Sequence, residues 1–92
     1  MPRRRYRSRL SVLVEILRVL KQVGPMPATR LCKYVNMPYD RLKLIIVSLE
    51  KNMIISARDT GKSRVYYITE KGLKELDKLE KALDIIVKLG LS

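Results

Sequence analysis

Residues 56–72 read SARDTGKSRVYYITEKG, and the fold turns on how Gly61-Lys62-Ser63 is understood. As the end of a phosphate loop, G-x-x-x-x-G-K-[ST], it needs a glycine five residues earlier and a helix directly after. That helix would supply N-terminal amides and dipole to the phosphate. Position 56 is Ser56, however, and the residues that follow are Arg64-Val65-Tyr66-Tyr67-Ile68, a β-branched and aromatic run with strand character. Ile54 to Arg58 reads as a second strand. Asp59 to Ser63 then becomes a five-residue hairpin loop with its glycine near the centre. The stretch is a hairpin, not a nucleotide cradle.

Outward from the hairpin, the apolar period changes from 2 to 3.6. Towards the N-terminus, Leu42, Ile45, Ile46 and Leu49 form the inward face of a helix from Pro38 to Lys51, closed by Asn52 as a left-handed cap. Before it, Asn36-Met37 makes a tight turn, and Ala28 to Val35 is a short helix with Leu31 and Val35 inward. The first helix, Ser8 to Val23, places Leu10, Leu13, Ile16, Leu17 and Leu20 at helical spacing, and Gly24-Pro25 ends it. Val12, Val19 and Val23 make a second apolar strip on that helix, which predicts packing on two sides. After the hairpin, Thr69 is the predicted N-cap of a last helix, with Glu70 in its first turn. Leu76, Leu79, Leu83 and Ile86 follow at spacings of 3, 4 and 3, a heptad seam.

Composition narrows the function. Ninety-two residues suit one domain, and 47% hydrophobic content is too high for a disordered chain. No apolar run approaches the ~20 residues of a membrane span. The basic N-terminus lacks the uninterrupted apolar segment and cleavage site of a signal peptide, so a cytoplasmic, nucleoid-associated protein is expected. One cysteine, Cys32, and no histidine leave neither a cysteine cluster nor the usual general base. No enzyme, cofactor, metal or small-molecule ligand is expected.

Charge is segregated. The net charge is +11; residues 1–68 hold fifteen basic and four acidic side chains, whereas residues 69–92 hold five of each. A basic head beside a neutral tail implies a polyanion partner for the first and another task for the second. The chain accordingly divides into a basic arm (1–9), a head (10–68) and a C-terminal helix (69–92).

The segments TRLCKYVNMPYDRLKLIIVSLEKNMI (29–54) and YYITEKGLKELDKLEKAL (66–83) resemble small archaeal winged-helix DNA-binding proteins. Tyr39-Asp40-Arg41-Leu42 and Tyr67-Ile68-Thr69-Glu70-Lys71-Gly72 carry most of the likeness. The resemblance spans about residues 10–89. It departs in Pro38, where the family usually has a serine cap, and in a shorter C-terminal helix. It implies a mainly α fold with a β-hairpin: a winged helix-turn-helix whose C-terminal helix pairs as a coiled coil in a dimer. It also implies double-stranded DNA as partner.

Candidate residues follow from placing these elements on a duplex. On the recognition helix they are Tyr39, Arg41, Lys43, Leu44, Val47 and Ser48. A lysine there suits phosphate or guanine, and an exposed Leu or Val suits a thymine methyl. On the wing, Arg58, Lys62, Ser63 and Arg64 are read as backbone contacts, and Arg3, Arg4, Arg5, Arg7 and Arg9 as a minor-groove arm. Val12, Val19, Leu76, Leu79, Leu83 and Ile86 are the candidate homodimer surface. The expected function is sequence-specific duplex binding by a dimeric transcriptional regulator. The alternatives are an abundant low-specificity architectural protein and an RNA-binding winged helix.

Overall fold

The structure is a computed structural model that describes residues 8–90. Arg3, Arg4, Arg5 and Arg7 lie outside the described residues. The elements are α1 (Arg9–Gln22), α2 (Ala28–Val35), α3 (Tyr39–Lys51), β1 (Ile55–Asp59), β2 (Arg64–Ile68) and α4 (Glu70–Lys88). The fold is mainly helical, with one antiparallel hairpin after a helix-turn-helix.

Each helix starts and stops for a local reason. The Ser8 hydroxyl accepts from the Ser11 amide at 3.0 Å and caps α1. Asn36, with φ 53°, takes the left-handed conformation that separates α2 from α3. Pro38 sits just before α3, at φ −62° and ψ 145°, and its carbonyl accepts from the Leu42 amide. Asn52 is not left-handed as the sequence predicts: its φ is −92°, and the positive φ falls on Met53 at 60°. Asn52 instead donates its side-chain amide to the Ser48 carbonyl at 2.8 Å, capping the helix with its side chain.

The hairpin register pairs Ile55 with Ile68, Ala57 with Tyr66 and Asp59 with Arg64. The strand therefore reaches Asp59, one residue later than predicted, and leaves a four-residue connection, Thr60 to Ser63. Met26 forms an isolated antiparallel bridge to Tyr66 as a short third edge, with both backbone bonds made, at 3.1 and 2.8 Å. The two prolines flanking Met26 explain it: Pro27 biases Met26 to extended backbone, and neither proline can donate, so the ladder stops at one residue.

The core gathers Ile16, Leu17 and Leu20 of α1, Leu31 and Val35 of α2, Leu42 and Ile46 of α3, Ile55, Tyr66, Met26 and Leu76. At α4's start, Thr69 Oγ1 accepts from the Gly72 amide at 2.9 Å and donates towards the Met53 and Ile54 carbonyls. A Cβ at Gly72 would collide with the Ile54 carbonyl oxygen and with Ile68, so only glycine lets α4 leave the hairpin this closely. The helix then lies chiefly on α1. An ion pair from Arg18 Nε to Glu80 Oε2 at 2.7 Å joins the two at the surface.

Candidate nucleic-acid interface

At 100° per residue, α3 presents four faces. Leu42, Ile46 and Leu49 point into the core. Opposite them, Asp40, Leu44, Val47 and Lys51 make an exposed strip, with Leu44 74% and Val47 50% exposed. One edge carries Tyr39, Lys43 and Glu50; the other carries Arg41, Ile45, Ser48 and Asn52. That second edge lines a groove of about 870 Å³ shared with Arg9 and Leu13 of α1 and Lys71 and Glu75 of α4. The six recognition-helix candidates thus divide. Leu44 and Val47 occupy the open strip, Arg41 and Ser48 turn towards the groove, and Tyr39 and Lys43 lie on the edge facing the wing.

Lys43 is half-buried and tethered. Its Nζ donates to the Tyr66 hydroxyl at 3.2 Å and lies 5.7 Å from that ring's centroid. The Tyr66 hydroxyl, by accepting that hydrogen bond, favours the charged ammonium and lifts Lys43 above its ordinary pKa.

The wing cations do not form one patch. Strand alternation puts Arg64, Tyr66 and Ile68 on the face that meets the head, and Val65 and Tyr67 on the other. Arg58 belongs to the outer face, 5.5 Å from the Tyr67 ring. Arg64 turns inward: its Nη2 donates to Glu50 Oε2 of α3 at 2.9 Å, and its guanidinium lies 5.8 Å from the Tyr66 ring. Tyr66 first, and then Glu50, favour the charged guanidinium. Lys62 projects at the tip. There the Thr60 hydroxyl accepts from the Lys62 and Ser63 amides at 3.5 and 3.3 Å, and the Ser63 carbonyl accepts from the Thr60 amide at 2.9 Å. The Thr60, Lys62 and Ser63 amides are thus used within the hairpin.

Arg9, the described member of the arm, is exposed in the first turn of α1. Among the candidate dimer residues, Val12 (8% exposed) and Leu76 (1%) are buried in the chain's own core. Val19, Leu79 and Leu83 pack on that core with part of their surface open, and Ile86 is half-buried.

Sequence reading passed over Glu50 and Tyr66, which together hold the wing to α3. The signal was present in the spacing: Glu50 is seven residues, two turns, from Lys43 on one helix edge, and Tyr66 is a polar-tipped aromatic at an inward strand position. Arg30, Lys33 and the half-exposed Tyr34 of α2 were also passed over.

Comparison with known proteins agrees with the fold. A winged helix-turn-helix family model matches residues 6–86. No curated protein sequence matches the chain. Among solved structures, F93 from STIV, a winged-helix DNA-binding protein, is similar with a TM-score of 0.73 and 20% identity, over 89% of this chain and 96% of that one. AF1382 from Archaeoglobus fulgidus is similar with a TM-score of 0.69 and 22% identity, over 84% and 85% of the two chains. The MarR family transcriptional regulator SPO1453 from Silicibacter pomeroyi DSS-3 is similar with a TM-score of 0.67 and 21% identity, over 84% of this chain and 55% of the regulator.

Proposed function

Because the chain belongs to the winged helix-turn-helix family, we propose that it binds double-stranded DNA as a dimeric transcriptional regulator, with α3 in the major groove and the wing against the backbone. The observation that carries this reading is the uncovered strip of α3. Leu44 and Val47 stand open to solvent between Asp40 and Lys51, with the wing along one edge. Apolar side chains there suit thymine methyl groups, which are read by apolar contact. Lys62 at the wing tip and Arg9 at the start of α1 supply sequence-independent contacts. The chain acts by binding and not by catalysis, in the cytoplasm on the cell's DNA.

Dimer formation rests on α4. In its last two turns Ile85 and Val87 are 56% exposed and Leu89, at the cap, is 66% exposed. With Ile86 they span roughly 200° of the helix at 100° per residue, the rest carrying Asp84 and Lys88, and so wide an apolar arc is normally covered. A second copy pairing along Leu79, Leu83 and Ile86 and past the edge of the head covers that surface. It also gives the dimer two heads on one duplex.

Selection of bound sequences from random duplexes at two salt concentrations tests the reading. A regulator enriches a defined site and binds it about 10³-fold or more tightly than random duplex at physiological salt. Uniform binding of all sequences, with affinity falling steeply with salt, supports an architectural role instead. The concentration of the whole +11 charge excess in residues 1–68 favours that second reading.

A further inference from the structure

Tyr66 lies neither on the open strip of α3 nor at the tip of the wing, yet both depend on it. Its residue is 2% exposed, and its backbone N–H and C=O are both bonded to Met26, so strand and ring are held in place. Two cations from different elements converge on this side chain. Lys43 of α3 donates to its hydroxyl, and Arg64 of β2 lies against its ring. Like charges brought together repel, and Lys43 and Arg64 each weaken the other's preference for this place. The phenol oxygen, the ring face and the Glu50 carboxylate offset that repulsion.

We propose that Tyr66 is a positioning residue for duplex recognition: its hydroxyl fixes the Lys43 ammonium at the α3–wing junction, so that helix and wing meet DNA as one element. Without the hydroxyl, the lysine stem has several rotatable bonds, and its ammonium samples a wide arc. Ordering that stem in the free protein removes an entropic cost that DNA binding would otherwise bear. The inference rests on the DNA-binding reading and adds to it which buried group sets the geometry of a surface cation.

The test is a double-mutant cycle on the full chain, with Lys43→Met, Tyr66→Phe and the pair, each titrated with the duplex selected above. Tyr66→Phe keeps the ring and the Arg64 guanidinium beside it, and removes the hydroxyl that favours both cations. Thermal unfolding of each variant without DNA reports the fold. The expected result is that Tyr66→Phe weakens binding about three- to tenfold in the wild-type background and leaves the affinity of the Lys43→Met variant unchanged. An equal loss in both backgrounds overturns the proposal, because Tyr66 would then act through the fold. So does no loss in the wild-type background. Lys43→Met binding as tightly as wild type also overturns it, with duplex binding itself intact. A wild-type chain that binds no duplex is the separate failure of the underlying reading.

Discussion

Where the wing meets α3, the polar and charged groups named above find partners inside the chain. Lys43 is on Tyr66, Arg64 is on Glu50, and Met26 and Tyr66 share two backbone bonds. The last two turns of α4 are different. Lys88 and Asp84 pair at 3.2 Å, but Ile85, Val87 and Leu89 are each more than half exposed. The junction is finished within one chain, so its cations are presented to a partner in fixed places. The tail leaves apolar area in water, which is unfavourable at about 25 cal/mol per Å² until another surface covers it. One region holds its charges on internal partners; the other leaves apolar side chains open to solvent.

The contrast breaks most easily within α4 itself, because its first half belongs to the core and its end does not. Leu76→Ala removes a side chain that is 1% exposed and should destabilise the fold by about 2–5 kcal/mol in urea unfolding. A cost below about 1 kcal/mol would mean that α4 is only loosely docked on α1. At the other end, Ile86→Glu with Val87→Glu should leave a folded monomer in sedimentation, with duplex affinity reduced about 10²-fold or more by loss of the second head. A double mutant that stays dimeric places the interface elsewhere.

Much of this was legible in the sequence, and the boundary between what was and was not is physical. Periodicity marks most of the inward face of each helix, though it missed Val14, buried in α1, and counted Val23, which is exposed, and Thr69 with Glu70 marks the start of α4, because these are local properties. Leu76 and Val12 appeared as candidate interface residues because a heptad or a valine strip shows that a face is apolar, not what covers it. The single chain uses both in its own core. The Arg64–Glu50 pair and the Lys43–Tyr66 bond were missed for a related reason. They join residues 14 and 23 positions apart, and no local period reports which polar groups meet across a tertiary junction. The shift of positive φ from Asn52 to Met53 is a smaller miss of the same kind. Ile54, whose carbonyl accepts from the Thr69 amide at 3.1 Å, is drawn under α4 and sets where the chain must turn.

Two substitutions of smaller effect sharpen the difference between the junction and the wing tip. Glu50→Gln releases Arg64 from its carboxylate partner, and should steepen the slope of log affinity against log salt by about one unit as the guanidinium becomes free for phosphate. Lys62→Ala should flatten the same slope by about one unit, with no change in the ranking of sites. An unchanged slope for Glu50→Gln would mean that Arg64 stays at the junction when DNA is bound; an unchanged slope for Lys62→Ala would mean that the tip does not touch the backbone.

The central claim is that α3 and the wing form one DNA-facing surface while α4 faces a second copy. Backbone amide chemical shifts of the ¹⁵N-labelled dimer, recorded before and after adding the selected duplex, test it most directly. The largest changes are predicted at Tyr39, Asp40, Lys43, Leu44, Val47 and Lys51 of α3 and at Lys62 on the wing, with Ile85 to Leu89 unmoved. Changes concentrated along α4, with the exposed strip of α3 unaffected, would contradict it.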